Sequence, residues 1–233
     1  MLPLKVPFLK PSEIDGAAAE LLRKYSKWKG RAASPPIDVD DIVEAYLSLD
    51  FALGNLRDLL GVDDVLGATW FDEKRIRIDE SLEGQEGRYC FTLAHEIGHW
   101  QLHRPIYEME KVTVPLFKTD ADKAPEPAVV CRTSQRKAPP EWQADQFAAR
   151  LLMPEKEIRA AVVRITGKPS SEIDGLRASL QSGSVSAVLK ELAARLIVDG
   201  KFTNVSNEAI RIRLVELKLV QDSKETSGQL FST

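Results

Sequence analysis

Residues 91–103 read Phe91-Thr92-Leu93-Ala94-His95-Glu96-Ile97-Gly98-His99-Trp100-Gln101-Leu102-His103, and this stretch decides how the rest of the chain is read. Placed at about 100° per residue, the apolar side chains of 88–103 surround most of a helix circumference, which predicts a helix buried in the middle of a domain. Within it lies His95-Glu96-Ile97-Gly98-His99, a match to H-E-x-x-H. Four residues advance a helix by about 6 Å and turn it by about 400°, so His95 and His99 stand one above the other. Two imidazoles so placed can grip one tetrahedral Zn²⁺. Glu96 lies about 60° around the helix from His99, where it can reach a metal-activated water without being a ligand, as suits a general base. Chance predicts about 0.003 such motifs in a chain of this make-up. The competing reading, two hydrogen-bonded core histidines, must also bury an anionic Glu96 in an apolar helix, which is costly.

A zinc site needs a further protein ligand. His103 follows His99 at i+4, but it sits about 12 Å along the helix axis from His95, too far for one ion to span all three. It reads as a helix-end residue. Glu141 and Asp145, in Glu141-Trp142-Gln143-Ala144-Asp145-Gln146-Phe147-Ala148, are also i, i+4 and share one helix face. One can bind the metal while the other accepts an N–H from a ligating histidine. The spacing leaves open which does which. The plainer alternative is two solvated acids near a helix N-terminus.

The whole chain of 233 residues fits one large domain or two small ones. Its 43% hydrophobic and 29% charged content is ordinary globular usage. A net charge of −3 is too balanced to imply nucleic-acid or membrane binding by bulk electrostatics. Two cysteines, Cys90 and Cys131, make no disulfide framework, and no apolar run reaches the length of a membrane span. Met1 to Lys10 does not read as a signal peptide, so the sequon Asn204-Val205-Ser206 carries little weight. A cytoplasmic protein is the expectation.

Along the chain, 12–27 reads as a first helix, and Asp38 or Asp40 can cap a second carrying Ile42, Val43, Tyr46 and Leu47. Gly67–Phe71 and Arg75–Ile78, joined by Asp72-Glu73-Lys74, alternate as a hairpin. Arg75–Ile78, if a sheet edge, can pair with an extended substrate. A Pro-rich connection spans 104–140, long for a structureless loop. A helix follows over 141–152, stopping at Met153-Pro154, and 155–233 reads as helical with glycine punctuation. The domain expectation is 1–154 for the metal-binding part and 155–233 for a C-terminal helical region. Cys90, about 140° around the helix from His95, reads as a small core residue. Cys131 lies in the connection beside Arg132. A thiol that occludes the zinc is the minor of its readings, because sequence does not establish its reach. Tyr89, Tyr107, Arg132 and Arg136 are the candidates for an oxyanion donor.

Taken together, three stretches resemble the ImmA/IrrE family of zinc metallopeptidases. They are Phe91 to Trp100 with His103, then Glu141 through Leu151-Leu152-Met153-Pro154, and more weakly Phe202-Thr203-Asn204-Val205-Ser206 with Ala209, Arg213, Leu214 and Leu217. The resemblance spans roughly 12–220 and implies one Zn²⁺ per chain. By motif position it makes His95, His99 and Glu141 the ligands and Glu96 the general base, with Asp145 at the position of a supporting acid. It implies cleavage of a helix-turn-helix repressor or antitoxin-like partner, which derepresses genes. The fold expected is α+β, a mostly helical zincin-like core with a small antiparallel sheet, plus a C-terminal helix-turn-helix-like region.

Two other functions compete. One is a non-catalytic interaction component of a regulatory or toxin–antitoxin pair, for which an intact Glu96 is superfluous. The other is a DNA-binding regulator using Lys201–Val220. The 155–233 region has a net charge of only +2, and Arg211 and Arg213 do not share a helix face. A structural helix pair packing Val205, Ala209, Leu214 and Leu217 is therefore favoured over direct DNA reading.

Overall fold

A computed structural model of the chain describes residues 5–113, 127, 129–132, 138–178 and 186–223. The chain forms two packed units, Met1–Ala33 with Asp38–Leu151, and Ser34–Ile37 with Leu152–Thr233.

The first unit opens with helix α1, Pro11–Lys29. Proline begins it, Glu13 accepts the Lys10 backbone N–H at 2.7 Å, and Gly30 ends it in the left-handed region at φ 73°. Ile14, Ala18, Leu21 and Tyr25 recur at helical spacing and are buried. A short turn α2, Val39–Asp41, runs into a π-helical turn at Ile42–Tyr46. It is tied to α1 by Asp41, which accepts from the Tyr25 hydroxyl and from Lys29 Nζ at 2.7 Å.

Four strands follow: β1 Asp50–Gly54, β2 Val65–Trp70, β3 Arg75–Asp79 and β4 Val129–Arg132. They form one sheet in the order β1-β3-β2-β4. The anticipated hairpin is present, β2 running antiparallel to β3. The sheet is mixed rather than wholly antiparallel, because β1 joins β3 in parallel. Helix α3, Leu56–Leu60, lies in the crossover from β1 to β2. Asp79 at the end of β3 organises this corner, accepting the Leu56 N–H at 2.9 Å and the Ser81 N–H at 3.0 Å. With both neighbours filled, β3 is an interior strand. The condition for substrate pairing at Arg75–Ile78, a sheet edge, is not met: among the described residues the sheet edges are β1 and β4.

Helix α4, Glu86–Leu102, packs against β2, β3 and β4, and Thr92 through Trp100 is buried without interruption. The connection after it holds helix α5, Arg104–Thr113, as well as β4. Helix α6, Pro139–Leu152, completes the unit.

The second unit contains α7 Glu155–Thr166, β5 Ser171–Ile173, α8 Ala187–Val198, α9 Asn207–Glu216 and β6 Val220–Asp222. It is not purely helical as expected, since β5 and β6 pair in parallel. Ile158, Val162, Leu196, Phe202, Ile210 and Leu214 lie in its interior. The fold class is α+β and mostly helical, with a zincin-like core.

Candidate metal centre

The site begins with a close approach of two helices. An added Cβ on Gly98 of α4 would stand 3.1 Å from Ala144 Cα and 3.2 Å from Phe147 Cβ, both on α6. Glycine on one helix facing alanine on the other lets the backbones meet. That contact carries Glu141, one turn before Ala144, over the histidine face of α4.

His95 Nε2 and His99 Nε2 are 2.9 Å apart. The two Glu141 oxygens reach them at 3.3 Å and 3.2 Å respectively. Tetrahedral zinc with bonds of about 2.1 Å needs donor atoms about 3.4 Å apart, so the three groups fit one cation with little adjustment. The donor chemistry agrees. Two imidazole lone pairs and a carboxylate converge in a buried space with too few protons to satisfy them all, which a cation resolves.

Each histidine is held from behind. His95 Nδ1 is 3.0 Å from Asp145 Oδ1, so the second acid of α6 fixes the tautomer that leaves Nε2 for a metal. His99 Nδ1 is 2.8 Å from His103 Nδ1, His103 Nε2 is 3.0 Å from Gln143 Oε1, and Gln143 Nε2 donates to the Pro7 carbonyl at 2.7 Å. Only one proton arrangement satisfies that chain while freeing His99 Nε2: His99 Nδ1–H donates to His103, and His103 Nε2–H donates to Gln143. His103 is therefore more than a helix-end residue. Fully buried at the C-cap of α4, it orients His99. Sequence reading missed this role, although the i+4 spacing from His99 was its signal.

Glu96 faces the sheet. Thr69 Oγ1 donates to Glu96 Oε2 at 2.6 Å, while Oε1 is buried with no hydrogen-bond partner among the described residues. Gly67 makes the room, for a Cβ there would stand 2.5 Å from Glu96 Oε1. A glycine inside a strand is the sequence signal for such a close approach. Burial pushes the Glu96 carboxyl up to about 7, against the opposing pull of His95 and Thr69. Burial also drives His99 down to about 3, keeping it neutral. Burial works against charge on His95, yet Cys131, Asp145 and Glu141 hold its pKa well above the ordinary value. Glu141 is likewise opposed by burial, and His95 and His99 keep it well below the usual carboxylate range.

Cys131, whose occlusion of the zinc is the minor of its sequence readings, lies at the site. Donor atoms of His95, Cys131 and Glu141 all lie within 4.8 Å of one another. Cys90 is buried elsewhere on α4, its Sγ 3.4 Å from Glu86 Oε1. Of the oxyanion candidates, the Tyr89 hydroxyl donates to Asp40, and that of Tyr107 donates to Asp72 at 2.9 Å. The Arg132 side chain and Arg136 lie outside the described residues.

A buried helix carrying two histidines and a glutamate beneath a small sheet, with an acidic residue supplied by a second helix, defines the zincin-like class of metallopeptidase cores. Residues 56–168 match the family model described as the IrrE N-terminal-like domain, Peptidase_M78. The matched residues run from α3 through α7 and take in every group named above from Gly67 to Asp145. The third stretch of resemblance, Phe202 onward, lies beyond them. No curated protein matches the chain. No described helix is long and apolar enough to cross a membrane.

Proposed function

We propose that the chain is a zinc-dependent endopeptidase, binding one Zn²⁺ through His95, His99 and Glu141, that cleaves a helix-turn-helix repressor or antitoxin-like partner in the cytoplasm. The observation that carries the hydrolase reading is Glu96. It lies in the same buried turn as the converging donors and keeps an unpartnered carboxylate oxygen near neutrality. A site built only to hold an ion has no use for that acid. When bound, zinc supplies Lewis-acid activation of water and of the scissile carbonyl. Glu96 accepts the water proton and returns it to the leaving amine, a task suited to a group whose pKa lies near the working pH. Asp145 and His103 keep the two imidazoles in the ligating tautomer. The repressor as substrate rests on the resemblance of the His and Glu-Asp motifs to the ImmA/IrrE family.

Direct DNA binding is disfavoured by the second unit itself. Arg213 is 1% exposed, giving its Nε to the Met153 carbonyl at 3.3 Å and NH1 to Glu216 at 2.9 Å. It braces the unit from inside rather than offering a charge to phosphates. The test is N-terminal labelling of the proteome in cells expressing wild type or Glu96→Gln. The expected result is a new N-terminus inside a helix-turn-helix protein with wild type alone. Identical profiles from the two would contradict the proposal.

A further inference from the structure

We propose that Cys131 is a fourth protein ligand, so that the resting metal site is closed by a thiolate that must withdraw before a substrate can be hydrolysed. This inference rests on the metallopeptidase reading above and adds regulation to it.

Strand register places the thiol. Cys131 of β4 pairs with Gly67 of β2, and directly opposed residues present their side chains on one face of a sheet. The face of Gly67 is the one Glu96 presses against. Cys131 therefore projects toward α4, over the strand position where the absent Gly67 side chain leaves space. The β2–β4 register shifts between Val65 and Gly67, beside this pair. An irregularity of that kind commonly re-aims a side chain next to a functional site. Cys131 is 8% exposed and lies within 4.8 Å of the donor atoms of His95 and Glu141. A zinc tetrahedron containing one bond of about 2.3 Å to sulfur needs sulfur about 3.6 Å from its other donors, so roughly an ångström of closure brings the thiol onto His95 and Glu141. The adjacent Glu96 Oε1, buried without a partner, is the second sign that the space is built for a guest rather than for packing.

The consequence follows from coordination number. A catalytic zinc keeps one position open, whereas four protein donors make a closed site. Opening requires β4 to shift, and among the described residues β4 is an edge strand paired to β2 alone within the sheet. Loosening one pairing frees the position without disturbing α4 or α6, which carry the other three ligands.

The test is the absorption spectrum of the cobalt(II)-loaded full chain, read beside cobalt content, for wild type, Cys90→Ser and Cys131→Ser. Expected are one cobalt per chain and a sulfur-to-cobalt charge-transfer band in wild type and Cys90→Ser. In Cys131→Ser the band is lost while cobalt is retained. Because the chain has only two cysteines, the first two proteins decide the ligand even if the third folds poorly. Cobalt bound by wild type without the band overturns the thiolate ligand and leaves the peptidase reading intact. A band abolished by Cys90→Ser overturns it as well. No cobalt bound by wild type overturns both.

Discussion

The two units bury polar side chains in contrasting ways. In the first, His95, His99 and Glu141 turn like-natured acceptor atoms toward one point, 2.9 to 3.3 Å apart. In the second, Asn204 and Arg213 direct their donors to separate acceptors of the fold rather than to one point. Asn204 gives its amide to the Ile37 carbonyl at 2.8 Å, and Arg213 serves Met153 and Glu216. His95, His99, Asn204 and Arg213 are all buried, so burial alone does not distinguish a site from a brace. The direction of the atoms does: convergent lone pairs require a guest, whereas paired donors and acceptors stabilise the fold.

The sharpest way to break this comparison is at Glu96. Glu96→Gln should lower peptide hydrolysis by about 10²–10⁴-fold while one zinc per chain is retained, the loss characteristic of a general base. Undiminished hydrolysis would place the chemistry elsewhere.

In the second unit, Arg213→Ala should lower stability to urea by about 3 kcal/mol, through loss of a buried charged hydrogen-bonding group. The zinc content of the folded variant should be unchanged. A full loss of stability with Glu96→Gln and none with Arg213→Ala would reverse the assignment of site and brace.

Supporting groups should yield smaller effects. Asp145→Ala and His103→Ala should each weaken zinc affinity by about 10–100-fold, the usual scale for partners of ligating histidines, as measured by competition with a chelator. Unaltered affinity in both would mean that the hydrogen bonds behind the imidazoles do not tune the site.

A further effect is in pH dependence. The folded, metal-free chain holds a proton on Glu96 between its ordinary value of 4.5 and about 7, where the unfolded chain has released it. The stability contributed by that proton is complete below the unfolded value and is lost as pH rises through about 7. Metal-free wild type should therefore lose stability relative to Glu96→Gln between about pH 4.5 and 7, by urea unfolding. A constant difference would show that the carboxyl titrates normally.

Part of this arrangement was legible before any coordinates. His95, Glu96 and His99 belong to one helical turn, so their spacing alone places them. Glu141 and Asp145 were readable as a pair sharing a face, but their division into ligand and support depends on how α6 crosses α4 at Gly98 and Ala144. Cys131 was out of reach because its position depends on the pairing of β4 with β2, a contact between residues more than sixty positions apart. The β2–β3 hairpin announced itself by alternation. Strand β1 did not, since Asp50–Gly54 is a half-exposed edge without regular polarity. At three residues each, β5 and β6 are too short to display a period.

The most direct test of the central claim is zinc content by elemental mass spectrometry on wild type and Glu141→Ala purified side by side. Convergent donors predict about one zinc per chain in wild type and a clear loss in the variant, since a carboxylate supplies the ligand beyond the two histidines. Wild type that remains metal-free after zinc is added would contradict the claim that these buried groups were assembled for an ion.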